Sequence, residues 1–468
     1  MDRADLESVV AQVLARINDG SAKPARHEPP KKGHGCFKTV SDAVEAARLA
    51  QLTLVALPLE KRREIIANIR RRCAEDVRSL ASFAVEETGL GRVEDKIKKN
   101  LLVIYRTPGP EILEPIAFTG DDGLTLIERA PYGVIAAITP STNPTETIIC
   151  NGIGMVSGGN TVVFNTHPGA KGVSAMVIDI INRAAMEVGG PDNIMTVIET
   201  PTIESANELL RYKGIRLNVV TGGPAVVKAA FAANKKCICG GPGNPPVVVD
   251  EFADLDLAAR SITLGASFDN NVICSDEKEV FVHEKVADRL VEGMVANSCV
   301  VLRNHQITRL ERLILTAERD HTQTKWVGKN ASEILKQIDV PFKGDPRLAI
   351  CEVPFDHPFV QLELLMPVLP IVRVKDVHEG IDLAYKAEHG FGHSASMYSK
   401  NIDHLHRMAK VMNCSIFVKN APHYAGLGFG GEGYTSFTIA SPTGEGLTTA
   451  RNFTRERRCT LAGYFRIV

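Results

Sequence analysis

Gly133-Val134-Ile135-Ala136-Ala137-Ile138-Thr139 is a short run of small and branched apolar side chains without a charge. A run of this length and composition reads as a strand buried on both faces, the kind that parallel sheets are made of. The chain beyond it repeats one alternation. Pro144 to Val156 reads as a helix, Thr161 to Phe164 as a strand and Ala170 to Val188 as a helix. Met195 to Ile198 is then a strand, Ile203 to Leu210 a helix, Leu217 to Thr221 a strand and Pro224 to Ala233 a helix. Strands alternating with helices predict an α/β fold built on a doubly wound parallel sheet.

Such sheets take ligands at the carboxyl ends of their strands. Three of those ends carry small and polar residues: Thr139-Pro140-Ser141-Thr142-Asn143-Pro144, Asn165-Thr166-His167-Pro168-Gly169 and Thr221-Gly222-Gly223-Pro224. Small residues in the last let a backbone approach a pyrophosphate at a helix start. None of the three is a GxGxxG fingerprint, and ordinary turn chemistry explains Gly, Pro and Asn as well. His167 reads equally as a ligand and as a turn histidine.

The chain has 468 residues, enough for two or three domains. Hydrophobic residues make up 44% and charged residues 23%, with a formal net charge of −1. That balance points away from nucleic acid and from anionic membranes as partners. The uncharged stretch Thr147 to Ala170 holds Asn151, Gly154, Ser157, Gly158, Gly159, Asn160 and Asn165, which are costly in hydrocarbon. It is expected to be a buried helix, a turn and a strand. Ten cysteines at irregular spacing, with no signal peptide, suit a reduced cytoplasmic setting.

One cysteine stands apart. Ser267-Phe268-Asp269-Asn270-Asn271-Val272-Ile273-Cys274-Ser275 places a thiol in a polar, turn-like window just before the apolar run Val280-Phe281-Val282. A reactive thiol needs partial exposure and polar neighbours, and Asn270 and Asn271 offer amide donors. An inert structural cysteine is the competing reading. Cys36, Cys73, Cys150, Cys299, Cys351, Cys414 and Cys459 are most simply inert. Cys237-x-Cys239 lacks a second pair for a zinc framework, and strand alternation is taken to point the two to opposite faces. His404 and His406 lie two apart on a helix and do not face each other, and His389 and His393 bracket Gly390-Phe391-Gly392. No metal is expected. Arg70-Arg71-Arg72 reads as a solvated helix face beside Glu60 and Glu64.

The amino terminus is separate in character. Leu6, Val9, Val10, Val13, Leu14 and Ile17 draw one apolar stripe along a helix over residues 1–20. Residues 21–36 are rich in Pro, Lys, His and Gly and read as a flexible linker. A helix so tethered either docks on its own domain or binds a groove or helix of a partner, and the linker favours the partner.

From about residue 37 the chain resembles the aldehyde dehydrogenase superfamily. The signposts appear in the family's order: Pro131-Tyr132-Gly133-Val134 with Pro140 and Asn143; Gly158-Gly159-Asn160; Thr221-Gly222-Gly223; Cys274; Glu363-Leu364-Leu365-Met366-Pro367; and the Gly-rich Gly426 to Gly433. The segment Gly241-Pro242-Gly243-Asn244-Pro245-Pro246 is similar to the CoA-acylating branch. Hydrolytic relatives carry a glutamate just before the paired glycines, where this chain has Ile238-Cys239 ahead of Gly240-Gly241. They also carry a lysine near the adenosine ribose, where Asn165 stands.

The resemblance implies a Rossmann-type cofactor domain over 37–242, with an oligomerisation hairpin over 112–132. It implies an α/β catalytic domain over 243–430, and a return over 431–468 ending in a strand that pairs with a neighbouring subunit, so a homo-oligomer, either a dimer or a tetramer. Cys274 is implied as the nucleophile and Asn143, with the Cys274 backbone N–H, as the oxyanion donor. NAD is implied near Thr139, Pro140, Asn165, Thr166, His167, Thr221, Gly222, Gly223, Gly241, Glu363 and Pro367, with Glu363 at the nicotinamide ribose. Coenzyme A is the implied acyl acceptor. The amino-terminal helix resembles an encapsulation peptide binding shell or cargo proteins of a bacterial microcompartment, so its lumen is the implied location. Propionaldehyde, as in propanediol utilisation, is the expected substrate, with acetaldehyde second. A catalytically dead structural protein and a reductase working in reverse are the rival readings.

Overall fold

The computed structural model describes residues 33–468. The targeting helix expected over 1–20, and most of the linker after it, lie outside the described residues. Two compact units are present. One holds residues 33–87, 97–240 and 434–468, and the other holds Thr88–Lys96 and Gly241–Gly433. The stretch Thr88–Lys96, which the sequence reading left in the cofactor domain, thus belongs with the second unit.

In the first unit the strands are β1 (Cys36–Phe37), β2 (Ile116–Gly120), β3 (Gly123–Pro131), β4 (Val134–Thr139), β5 (Thr161–Thr166), β6 (Met195–Ile198), β7 (Leu217–Thr221) and β8 (Lys236–Gly240). Six of them form one parallel sheet in the order β1-β6-β5-β4-β7-β8. Both β4 and β5 are buried at every residue, as their apolar runs require. The strand order reverses between β5-β4 and β4-β7. That reversal opens a crevice at the carboxyl ends of β4 and β7, the position where doubly wound sheets bind ligands. The uncharged stretch is a helix, Pro144–Ser157, buried throughout, followed by a turn and β5.

Asn160 locks that turn. Its Oδ1 accepts from the Tyr132 and Gly133 amides at 2.7 and 3.2 Å, and its Nδ2 donates to the Met155 and Phe453 carbonyls at 3.0 and 2.9 Å. A buried amide with all four of these bonds made is a strong positional constraint.

The second unit contains β9 (Pro246–Val249), β10 (Glu279–His283), β11 (Cys299–Val301), β12 (Leu348–Glu352), β13 (Val368–Val374), β14 (Ser394–Tyr398) and β15 (Ile416–Lys419). They form a seven-stranded parallel sheet in the order β11-β12-β13-β10-β9-β14-β15. Alternation divides its side chains between two cores. Val248 and Phe281 enter one, with Ile334, Phe359 and Met366. Val247, Val249, Val280 and Val282 enter the other, with Ile262 and Leu290.

The chain then returns to the first unit through β16 (Ile439–Ala440), β17 (Gly446–Leu447) and β18 (Thr454–Ala462). Strand β18 was expected to pair with a neighbouring subunit. In this structure it pairs antiparallel with β3 of the same chain, from Thr454 opposite Pro131 to Ala462 opposite Gly123, and β2 completes a three-stranded sheet.

Two further readings are corrected. Residues two apart on a strand share a face, and Cys237 and Cys239 on β8 both pack on the same apolar cluster as Val220 and Ala230. The triplet Arg70-Arg71-Arg72 is not a uniform solvated face. Arg70 turns inward and donates to the carbonyls of Ile104 and Thr107, while Arg71 and Arg72 pair with Glu75 and Glu187.

Candidate functional site

In the second unit the nucleophile candidate ends an unusual loop. Asp269, Asn270 and Asn271 have φ of 46°, 56° and 64°, three successive left-handed residues of which none is glycine. Asn and Asp tolerate that conformation better than other residues because their short side chains bond locally. Each side chain here is fully engaged. The Asp269 carboxylate accepts from the Arg92 amide at 2.7 Å and from Lys96 Nζ at 3.0 Å. Asn270 Nδ2 donates to the Gly328 carbonyl and to Asn330 Oδ1, and its Oδ1 accepts from Arg92 Nε. Asn271 Nδ2 donates to the Ala266 and Glu277 carbonyls. The two asparagines were expected to offer amide donors to the thiol; Asn270 spends its donors on the Gly328–Asn330 segment and Asn271 on the chain flanking the loop.

The residues after Cys274 are mostly charged and yet enclosed. Ser275, Asp276, Glu277, Lys278 and Glu279 are all buried. Lys278 Nζ donates to Asn271 Oδ1 at 2.6 Å and to the Asn271 and Ile273 carbonyls at 3.0 Å each. Glu277 accepts from the His423 amide, and burial pushes its carboxyl up to about 8. Burial likewise raises Glu279 well above the usual carboxylate range. Glycines make room for these groups. A Cβ on Gly91 would lie 2.0 Å from Asp269 Oδ1, and one on Gly265 would lie 2.2 Å from both Glu277 oxygens.

Cys274 itself keeps partial solvent access. Burial of its sulfur, followed by the charge of Glu363, pushes the thiol up to about 12, and Lys278 opposes that rise. Glu363 is brought beside it, with its carboxyl raised to about 7 by burial and held down in part by Lys278 and the Gly243 amide. A group near 7 gains or loses a proton readily at neutral pH. His393 completes the surroundings. A Cβ on Gly243 would lie 2.7 Å from the Cys274 carbonyl oxygen and 2.9 Å from His393 Cγ. Burial lowers His393 to about 4, so its ring is neutral. Pro367 is part of the scaffold, its carbonyl accepting from the Ala349 amide.

In the first unit, Asn143 sits at the helix start of Pro144–Ser157 but does not cap it. Asparagine there ordinarily turns its oxygen onto the helix amides. Here Lys99 Nζ donates to Asn143 Oδ1 at 2.5 Å, with Glu146 Oε1 3.3 Å from the same nitrogen. An ammonium can only donate, so the amide oxygen is fixed toward it and Nδ2 faces away, with a 3.3 Å contact to Thr142 Oγ1.

At the crevice, Thr139 and Thr166 are buried with hydroxyls that find no partner among the described residues. Gly223 precedes the helix Pro224–Phe231, and a Cβ there would meet nothing within 4 Å. Unsatisfied hydroxyls beside an open helix start suit the ribose and phosphates of a dinucleotide. Thr221 Oγ1 bonds Thr438 Oγ1 at 2.7 Å, and the Gly222 amide donates to Gly240. Asn165 is committed to the neighbouring helix, accepting from Ser205 Oγ at 2.6 Å. His167 Nδ1 accepts from the Gly169 amide, a turn role. Lys96, Lys99 and Lys278 had no part in the sequence reading, and His393 entered it only as a metal ligand set aside. Charged residues inside Glu94-Asp95-Lys96-Ile97-Lys98-Lys99 look like a solvent-facing run until the distant partners Asp269 and Asn143 are known.

Comparison with known proteins places this geometry. The family model described as the aldehyde dehydrogenase family matches residues 33–450. The acetylating acetaldehyde dehydrogenase EutE of Salmonella typhimurium is 48% identical, with 100% of both chains covered. The solved structure of Rhodopseudomonas palustris propionaldehyde dehydrogenase with bound CoA and an acylated cysteine superposes with a TM-score of 0.90 at 46% identity, covering 92% of this chain and 98% of that one. A propionaldehyde dehydrogenase from the fucose utilisation microcompartment of Clostridium phytofermentans gives a TM-score of 0.91 at 44% identity, covering 93% and 100%.

The Lys99 contact carries a prediction. Lys99→Met releases Asn143 Oδ1 to cap its own helix, so turnover should fall by about 100-fold, the order seen when one transition-state donor is lost. In an Asn143→Ala background the same change should cost less than about twofold. Equal losses in both backgrounds would separate Lys99 from Asn143.

Proposed function

This chain belongs to the aldehyde dehydrogenase family, as a CoA-acylating oxidoreductase, and we propose that it oxidises a short-chain aldehyde, propionaldehyde first, to the acyl-CoA with NAD and coenzyme A. Acetaldehyde is the second reading, favoured by the 48% identity to an acetylating relative. One observation carries the acylating reading. The chain aligns end to end with an acetylating relative, and Ile238 and Cys239, both buried in β8, stand where the resemblance to the family implies the water-activating glutamate of hydrolytic members.

In the proposed reaction Cys274 gives up its proton to solvent, its sulfur bonds to the aldehyde carbon, and the carbonyl oxygen takes up the electron pair of the broken C=O π bond. Asn143 Nδ2 and the Cys274 amide donate to that oxygen. NAD supplies the acceptor for the hydride. Loss of the hydride restores the C=O bond, now as a thioester on Cys274. Cys239, its thiol raised to about 12 by burial, cannot act as a base for water at that point. The thiol of CoA is the better attacker on a thioester. It takes the acyl group, and Cys274 recovers its proton as a thiol. With NAD bound, Glu363 would position the nicotinamide ribose, and Thr139, Thr166 and Gly223 would hold the rest of the dinucleotide.

We also assign residues 1–20 to targeting into a microcompartment and β2, β3 and β18 to self-association as a dimer or tetramer. The apolar stripe supports the first. The open outer edges of the three-stranded sheet support the second.

Two measurements test these assignments. With C2 to C4 aldehydes, NADH release should require CoA and peak at C3 or C2; steady turnover to the free acid without CoA would defeat the acylating reading. Deletion of residues 1–20 should leave turnover unchanged and abolish co-purification with compartment shells. Unchanged co-purification would refute the targeting role.

A further inference from the structure

We infer that Lys278 is a positioning residue for the nucleophile: its ammonium pins the left-handed loop and supplies a positive charge that favours the Cys274 thiolate. The inference rests on Cys274 being the nucleophile. Three observations carry it.

First, the bonding is complete. Asn271 Oδ1, the Asn271 carbonyl and the Ile273 carbonyl are three acceptors on one nitrogen, at 2.6, 3.0 and 3.0 Å. Only the charged form of lysine has three hydrogens to give. The last of the three acceptors is the carbonyl immediately before Cys274, so the clamp reaches the nucleophile's own peptide. The Lys278 amide is itself fixed by the Pro245 carbonyl at 3.0 Å.

Second, the charge is buried, since Lys278 is 3% exposed. A buried ammonium without a carboxylate bonded to it is expensive, and natural sites keep one where its field is used. The groups around it are named by their mutual influence. Cys274 feels Glu363, Lys278 and Asp276. Lys278 in turn acts on Glu277, Glu279, Glu363, His393 and His423. Burial pushes the Glu277 carboxyl up to about 8 and Glu279 well above the usual carboxylate range, which weakens the negative charge they set against the ammonium. His393 and His423, at about 4 and about 3, are neutral.

Third, three influences on the sulfur work against the reaction, burial, Glu363 and Asp276, while Lys278 and a backbone hydrogen bond work for it. A thiolate is the attacking form. Removing Lys278 therefore lowers the thiolate fraction at any given pH.

The test separates this role from a merely structural one by sign. If Lys278 only props the loop, removing it exposes Cys274 and speeds alkylation by iodoacetamide. If its charge activates the sulfur, alkylation slows. The experiment uses the full-length protein, with the labelled residue mapped by peptide mass. In the wild type the rate should rise about tenfold per pH unit through the neutral range with no plateau. Lys278→Met should slow labelling of Cys274 at least tenfold at each pH and slow single-turnover NADH formation in parallel. Lys278→Gln keeps two donors without the charge and should behave like Met even if the Met variant folds poorly; Lys278→Arg keeps the charge and should retain most of the rate. Unchanged or faster labelling in Lys278→Gln overturns the inference while leaving Cys274 as nucleophile. An acyl adduct that persists in Cys274→Ala overturns the underlying reading instead.

Discussion

Three left-handed residues in succession do not hold that shape unaided. Asp269, Asn270 and Asn271 each accept a backbone conformation that costs up to about 1 to 2 kcal/mol for an ordinary residue. What stabilises it is charge-assisted hydrogen bonding, at about 1.5 to 3 kcal/mol per bond. Lys96 and the Arg92 amide grip Asp269, and Lys278 grips Asn271 and Ile273. The position of Cys274 follows from that loop, and the burial of Ser275 to Glu279 follows from seating it.

The same constraint explains a composition that looks wasteful. Glu277 and Glu279 occupy the interior as neutral acids, and Gly91 and Gly265 are kept small so that Asp269 and Glu277 fit. A carboxyl raised by burial binds its proton more tightly in the folded state than in the unfolded one. Its contribution to stability is whole below the ordinary carboxylate value and is lost as pH rises toward about 8 for Glu277. A site arranged this way trades stability at alkaline pH for a fixed field around a sulfur.

The fold was legible because its signals are local. Strand β4 announces itself by an apolar run, and the helix after it by Pro144 and the length of the next uncharged stretch. Cys274 stood out by its polar, turn-like window, which alone left an inert thiol as the competing reading until the resemblance implied a nucleophile. Lys96 and Lys99 were not legible, because burial of their charges is decided by partners far along the chain. Lys96 and Asp269 are 173 residues apart and Lys99 and Asn143 are 44 apart. In its own neighbourhood each lysine is one charge among several. The same limit hid the pairing of β18 with β3, since an edge strand carries no mark of which chain completes it.

The central claim is that one sulfur carries the oxidised acyl group between two steps. Intact-mass and peptide-mass measurement on protein given propionaldehyde and NAD, with CoA withheld, tests it most directly. The account predicts one acyl group per chain, located on the peptide containing Cys274 and discharged when CoA is added. Reduction of NAD with no adduct, or an adduct on any other cysteine, would contradict it.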